Sequence, residues 1–127
     1  MNFHVFESLT IHNGCFDFKR LLSPLRINIP YVGQYLICCS EPSNSMDKCA
    51  VSALHDGTVV GHLMHGSSGR FAKVIFYFLQ ANPSNTCTAV ITGKPVNLGK
   101  GKGMQVPCTL KFDGSRQILH TLQNSLP

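Results

Sequence analysis

The stretch from Glu41 to Val51, EPSNSMDKCAV, decides how the chain is read. It separates two runs rich in β-formers, GQYLICCS (33–40) and AVSALH (50–55). A plain hairpin connection takes two to five residues, and this one takes about eight. It is dense in turn-formers and ends in a charged pair, Asp47-Lys48, where the second run begins. At its simplest it is a loop in which Ser43, Asn44 and Asp47 bond to neighbouring backbone groups.

Outward from this loop the pattern is mostly strand. GQYLICCS is one strand, and KCAVSALHDGTVVGHL (48–63) is a hairpin whose Asp56-Gly57 suits a type I′ turn. The period then changes. In HGSSGRFAKVIFYFLQAN (65–82), Phe71, Val74 or Ile75, Phe78 and Leu79 recur at helical spacing. Ser67 or Ser68 is the expected cap of this helix, and Asn82-Pro83 ends it. TCTAVITG (86–93) and QVPCTLKF (105–112) are strands joined by the glycine- and lysine-rich KPVNLGKGKGM (94–104). SRQILHTLQNSL (115–126) is a short amphipathic helix capped by Ser115, with Ile118, Leu119, Leu122 and Leu126 inward. Toward the N-terminus, Met1–Phe6 is a candidate opening strand. Glu7–Pro30 reads as irregular, because IHNG, LLSP and NIP all carry turn signals. Short strands with two helices point to a mainly β (α+β) fold, a small β-barrel or sandwich.

A chain of 127 residues is expected to form one domain with a core that needs neither disulfides nor metal. The longest apolar run, VIFYFL (74–79), is too short to span a membrane, and MNFHVFESL has no features of a secretory signal. The expected location is therefore the nucleus or cytoplasm. None of the six cysteines forms a Cys-x-x-Cys pair, so they read as reduced, small apolar strand residues. The net charge is +5. Between Asp56 and Asp113 there is no acidic residue, while Arg70, Lys73, Lys94, Lys100, Lys102 and Lys111 fall there. Such a surface either attracts polyanions, nucleic acid first among them, or serves solubility.

Several residues could carry chemistry. Arg70, Lys73 and Tyr77, at i, i+3 and i+7, share one helix face that either grips a phosphate backbone or is simply solvated. Lys100 and Lys102 in GKGKGM flank glycines that let backbone N–H groups approach a ligand, or they solubilise a hairpin tip. GKGKGM does not match the phosphate-cradling P-loop. His62 and His65 stand at a strand-to-helix corner, where they can meet an anion or tie down the turn. Two histidines without a clear third ligand do not make a zinc site, so no metal or cofactor is expected. Asp47 near His62 has no accompanying nucleophile motif, and six acidic residues make a two-metal site hard to assemble. The chain therefore reads as a binding module and not an enzyme.

In order along the chain, Glu41, Pro42, Asn44, Asp47, Lys48, Ala50 and Val51, then Val60, Gly61, His62 and Leu63, then Pro107, resemble the pattern of the HIRAN domain. That domain occurs in helicase-like Swi/Snf-type translocases and in stand-alone proteins. The resemblance covers about 33–114. It implies a single domain over 1–127, with an irregular part at 7–30 and a C-terminal helix at 115–126. It also implies an OB- or SH3-like barrel of about six strands with two helices. The implied function is binding of single-stranded DNA, with a free 3′ end favoured. Carried over residue by residue, Asp47 lies near the terminal 3′-hydroxyl, Met46 takes the place of a stacking aromatic, and His62 contacts the DNA. A basic position after the His falls near His65, and a second aromatic position falls near Met104. Lys48, Arg70, Lys73, Lys100 and Lys102 complete the expected nucleic-acid surface. Both aromatic positions hold Met in this chain, so a stacking ring would come from Tyr31 or Tyr35. The other function expected of the same scaffold is protein interaction, through exposed Met46, Met64 and Met104.

Overall fold

A computed structural model of the chain describes residues 9–18, 31–64, 70–97 and 104–126. The elements run in the order β1 (Leu9–Phe18), β2 (Tyr35–Ser40), β3 (Val51–His55), β4 (Thr58–Leu63), α1 (Phe71–Ala81), β5 (Thr86–Ile91), β6 (Val96–Asn97), β7 (Met104–Asp113) and α2 (Arg116–Ser125). The strands pair antiparallel in the order β1-β4-β3-β2-β5-β7-β6, and β1 also pairs with β7. The pairings thus run through six strands and return to β1. The result is the barrel-like, mainly β fold with two helices that the sequence leads one to expect.

Period-2 alternation builds the core. Leu36 and Cys38 on β2, Cys87, Ala89 and Ile91 on β5, and Val106, Cys108, Leu110 and Phe112 on β7 are all buried. The cysteines among them act as the small apolar residues anticipated. Both helices cover this barrel. α1 buries Ala72, Ile75, Phe76 and Phe78, and α2 buries Leu119 and Leu122. Phe78 meets Phe112 edge to face with centroids 5.6 Å apart, so α1 is anchored on β7. The Asp56-Gly57 turn has φ of 49° and 79°, both positive as a type I′ hairpin requires. Ser115 caps α2 by accepting the Ile118 N–H.

Three sequence expectations are corrected. The stretch 7–30 is not irregular throughout, since Leu9–Phe18 forms β1. The Asn13-Gly14 of IHNG, read as a turn, lies where the β1–β7 register shifts between Ile11 and Gly14. It makes a bulge, which uses the same residue chemistry as a turn without reversing the chain. α1 starts at Phe71 after Arg70, which makes no side-chain cap bond. The expected caps Ser67 and Ser68 lie outside the described residues, as does the candidate opening strand at Met1–Phe6. Met104, placed in the loop before the last strand, is instead the first residue of β7.

A second bulge positions a functional candidate. Between β3 and β4 the register shifts after Ala53, so that Ala53 faces Gly61 and Leu54 faces Val59. The extra residue on β4 lets Val60 and Leu63 both enter the core. His62, between them, is half-buried and pairs in register with Ser52. The bulge therefore turns the His62 side chain off the core, toward the loop that precedes β3.

Candidate functional site

Asn44 organises the loop from Glu41 to Ala50. Its backbone N–H donates to the Glu41 carbonyl at 3.1 Å, and its Nδ2 donates to Glu41 Oε1 at 3.1 Å. Its Oδ1 accepts the N–H groups of Met46 at 2.9 Å and Asp47 at 3.0 Å. Asp47 continues the chain of bonds, accepting the Cys49 N–H on Oδ1 at 3.0 Å. The Glu41 N–H closes the loop onto the Ala50 carbonyl at 2.9 Å. Asn and Asp are the residues suited to such bonds, because a short side-chain oxygen reaches the amide two or three residues on. The turn is thus built by its own side chains, with Met46 at its tip 92 % exposed.

A histidine of β4 fastens the loop to the barrel. His62 Nε2 donates to Glu41 Oε1 at 2.7 Å, the same oxygen that receives Asn44. A carboxylate only accepts, so the proton sits on Nε2. His62, expected at a ligand surface, is therefore brought to the loop with one ring nitrogen already engaged. Glu41 is visible in the sequence only as the acidic start of the turn, and nothing at that stage marks it as the partner of a histidine 21 positions on.

The loop also meets α1. Cys49 Sγ lies 4.0 Å from the Tyr77 hydroxyl, at the outer limit for a thiol bond. Tyr77 shares an exposed face with Lys73 and with Arg70, as the helical spacing implies. These three line a groove of about 540 Å³ between α1 and α2. Its floor is apolar, with Val74 and Phe78 facing Ile118 and Leu122. Asp47 and His62 are thus tied into one loop through Asn44 and Glu41, Arg70 and Lys73 share the exposed face of Tyr77, Cys49–Tyr77 is a contact between the two groups, and Lys48 is an exposed residue of the loop.

Other expected residues are placed differently. Met104 opens β7 opposite Phe18 of β1, and Phe18 also faces Gly61 of β4. That puts the Met104 backbone two strand spacings, roughly 10 Å, from the Gly61-His62 corner. β1 is the strand between them. His65, Lys100 and Lys102 lie outside the described residues. Lys111 stands apart, 5.5 Å from the ring centroid of Tyr35. Among the described residues no group of three His, Cys, Asp or Glu side chains is placed to hold a metal ion. No helix among them is long and apolar enough to cross a membrane.

No protein-family model matches the sequence, and no curated protein matches it. A solved structure does match by its fold, the HIRAN domain of human HLTF. The two superpose with a TM-score of 0.61 at 20 % sequence identity, over 94 % of this chain and 85 % of that one. A likeness at this identity concerns backbone architecture, and that architecture is the barrel and two helices described above. This chain shares the fold of that HIRAN domain.

Proposed function

We propose that the chain is a nucleic-acid-binding module that captures single-stranded DNA, with preference for a free 3′-hydroxyl end. The observation that carries this reading is the loop itself. Asn44 accepts the Asp47 N–H and bonds to Glu41, which His62 holds, and Cys49, bonded to Asp47, approaches Tyr77 on the helix face that carries Lys73. An aspartate is out of place against phosphates and well suited to accept from a hydroxyl. In this reading Asp47 receives the 3′-hydroxyl, while Lys48, Arg70 and Lys73 meet the phosphates that follow. His62 holds the loop in position at the edge of the site. His65, Lys100, Lys102 and Met104 extend the surface on the resemblance alone. The module binds and does not catalyse.

The test is a fluorescence-anisotropy titration with short oligonucleotides that differ only at the 3′ end. A 3′-hydroxyl strand binds more tightly than a 3′-phosphate strand, and Asp47→Ala removes the difference. Equal binding of both ends by the intact protein overturns end capture. A second reading, protein interaction on the same scaffold, is favoured by the exposed apolar side chains Met46, Tyr35 and Ile37. Absence of DNA binding that does not depend on salt favours it.

A further inference from the structure

We infer that Tyr77 is the base-stacking platform of this surface, and that the α1–α2 groove beside it receives an unstacked base of the bound strand. The inference rests on the nucleic-acid reading above and names the ring that reading lacks. Single strands are held by aromatic faces as well as by charge, at about 1–3 kcal/mol per stacked base. The loop tip offers Met46 and no ring. Tyr35 opens β2, six residues and roughly 20 Å of extended chain from Glu41. Tyr31 belongs to that same far end, where its carbonyl accepts the Gln34 N–H and the neighbouring Gly33 N–H donates to Ile91. Neither ring is placed to stack on the terminal base of a strand whose 3′ end sits at Asp47.

Tyr77 is so placed. It is 56 % exposed, and its hydroxyl lies against Cys49, whose N–H is bonded to the Asp47 carboxylate. The buried Phe76 packs edge-on against the Tyr77 ring with centroids 5.3 Å apart. That contact orients the ring before any ligand arrives, which lowers the entropy lost on stacking. Lys73 and Arg70 follow on the same face, about 6 Å and 10 Å along the helix axis. Neither helix contains an acidic residue, so the groove is complementary to a phosphodiester chain along its cationic rim and to a base over its apolar floor. Thr121 and Ser125, the hydroxyls on the α2 side, donate to Gln117 and Thr121 carbonyls of their own helix at 3.1 and 2.8 Å. Neither proton is directed at a base edge. The α2 hydroxyls therefore offer a base edge no proton by which to read it.

The experiment uses the full chain and a 5′-fluorescein hexathymidylate with a 3′-hydroxyl, followed by anisotropy. Tyr77→Leu weakens binding about 5- to 150-fold, Tyr77→Phe, which keeps the ring and loses the hydroxyl beside Cys49, binds more tightly than Tyr77→Leu, and Tyr35→Leu leaves affinity unchanged. A hexamer of abasic deoxyribose phosphates, which keeps the charges and removes the bases, binds wild type and Tyr77→Leu alike. In the wild-type protein, the Tyr77 ring resonances shift on titration with hexathymidylate, a readout that needs no variant. Wild-type binding matched within twofold by Tyr77→Leu, or ring resonances that stay still, overturns the platform and leaves the nucleic-acid reading standing. Failure of the wild-type protein to bind hexathymidylate at low salt overturns both together.

Discussion

Asn44 makes four of the bonds that shape the 41–50 loop, three of them through its side chain. Asn44→Ala removes those three and leaves the Met46 and Asp47 amides to water. The half-buried setting limits the loss of stability to about 1–2 kcal/mol, read as a lowered urea midpoint at unchanged slope. The same variant unfixes Asp47, so discrimination between 3′-hydroxyl and 3′-phosphate strands falls in parallel. Retained discrimination in a destabilised variant would mean that Asp47 is held by something other than this turn. At this scale the sequence was most legible where one residue acts on its own neighbours. Asp56-Gly57 and Ser115 announce a turn and a cap because the bonds are local. Glu41 with His62 and Cys49 with Tyr77 are pairs 21 and 28 positions apart. No spacing rule connects them, so the parts of the site could be named from sequence and their joints could not.

Among elements, the buried strands explain the thiols. Cys38, Cys87 and Cys108 sit on β2, β5 and β7 in the core, whereas Cys39 is exposed and Cys49 half-buried. Burial above all, and then the neighbouring thiols with Cys38 first, push the Cys87 thiol well above its ordinary pKa. Loss of solvent, reinforced by Cys38 and Glu41, raises Cys39 as well. Of these five, iodoacetamide should label Cys39 and Cys49 in the native protein, slowly at neutral pH for Cys39 because little thiolate is present. Cys38, Cys87 and Cys108 should label only after unfolding, as mapped by peptide mass spectrometry. Early labelling of Cys87 would show that β5 opens without global unfolding. The strands carrying Cys38, Cys87 and Cys108 were legible from alternation with apolar residues. β1 was not. Its Asn13-Gly14 imitates a turn, and only the ladder to β7 reveals it as a bulge.

At the scale of the whole molecule, charge and topology act together. The net charge of +5 draws anions from a distance, but only cations at the site are tied to bound phosphates. With Lys48, Arg70 and Lys73 on three phosphates, log affinity for single-stranded DNA should fall against log salt with a slope of about −2. A slope near zero would place the binding energy elsewhere. The register from Leu9 with Phe112 through Phe18 with Met104 carries a further consequence, a kinetic one. The first of the described strands to be synthesised must wait for the last of them. Among the described residues its ladder to β4 has three pairs, against eight to β7. Closure is therefore a late event, set by the entropy of joining distant segments, and slow beside the local β3–β4 hairpin. Until β7 emerges from the ribosome, the growing barrel exposes the edges of β4 and β5, and that interval is when a neighbouring chain can add a strand of its own.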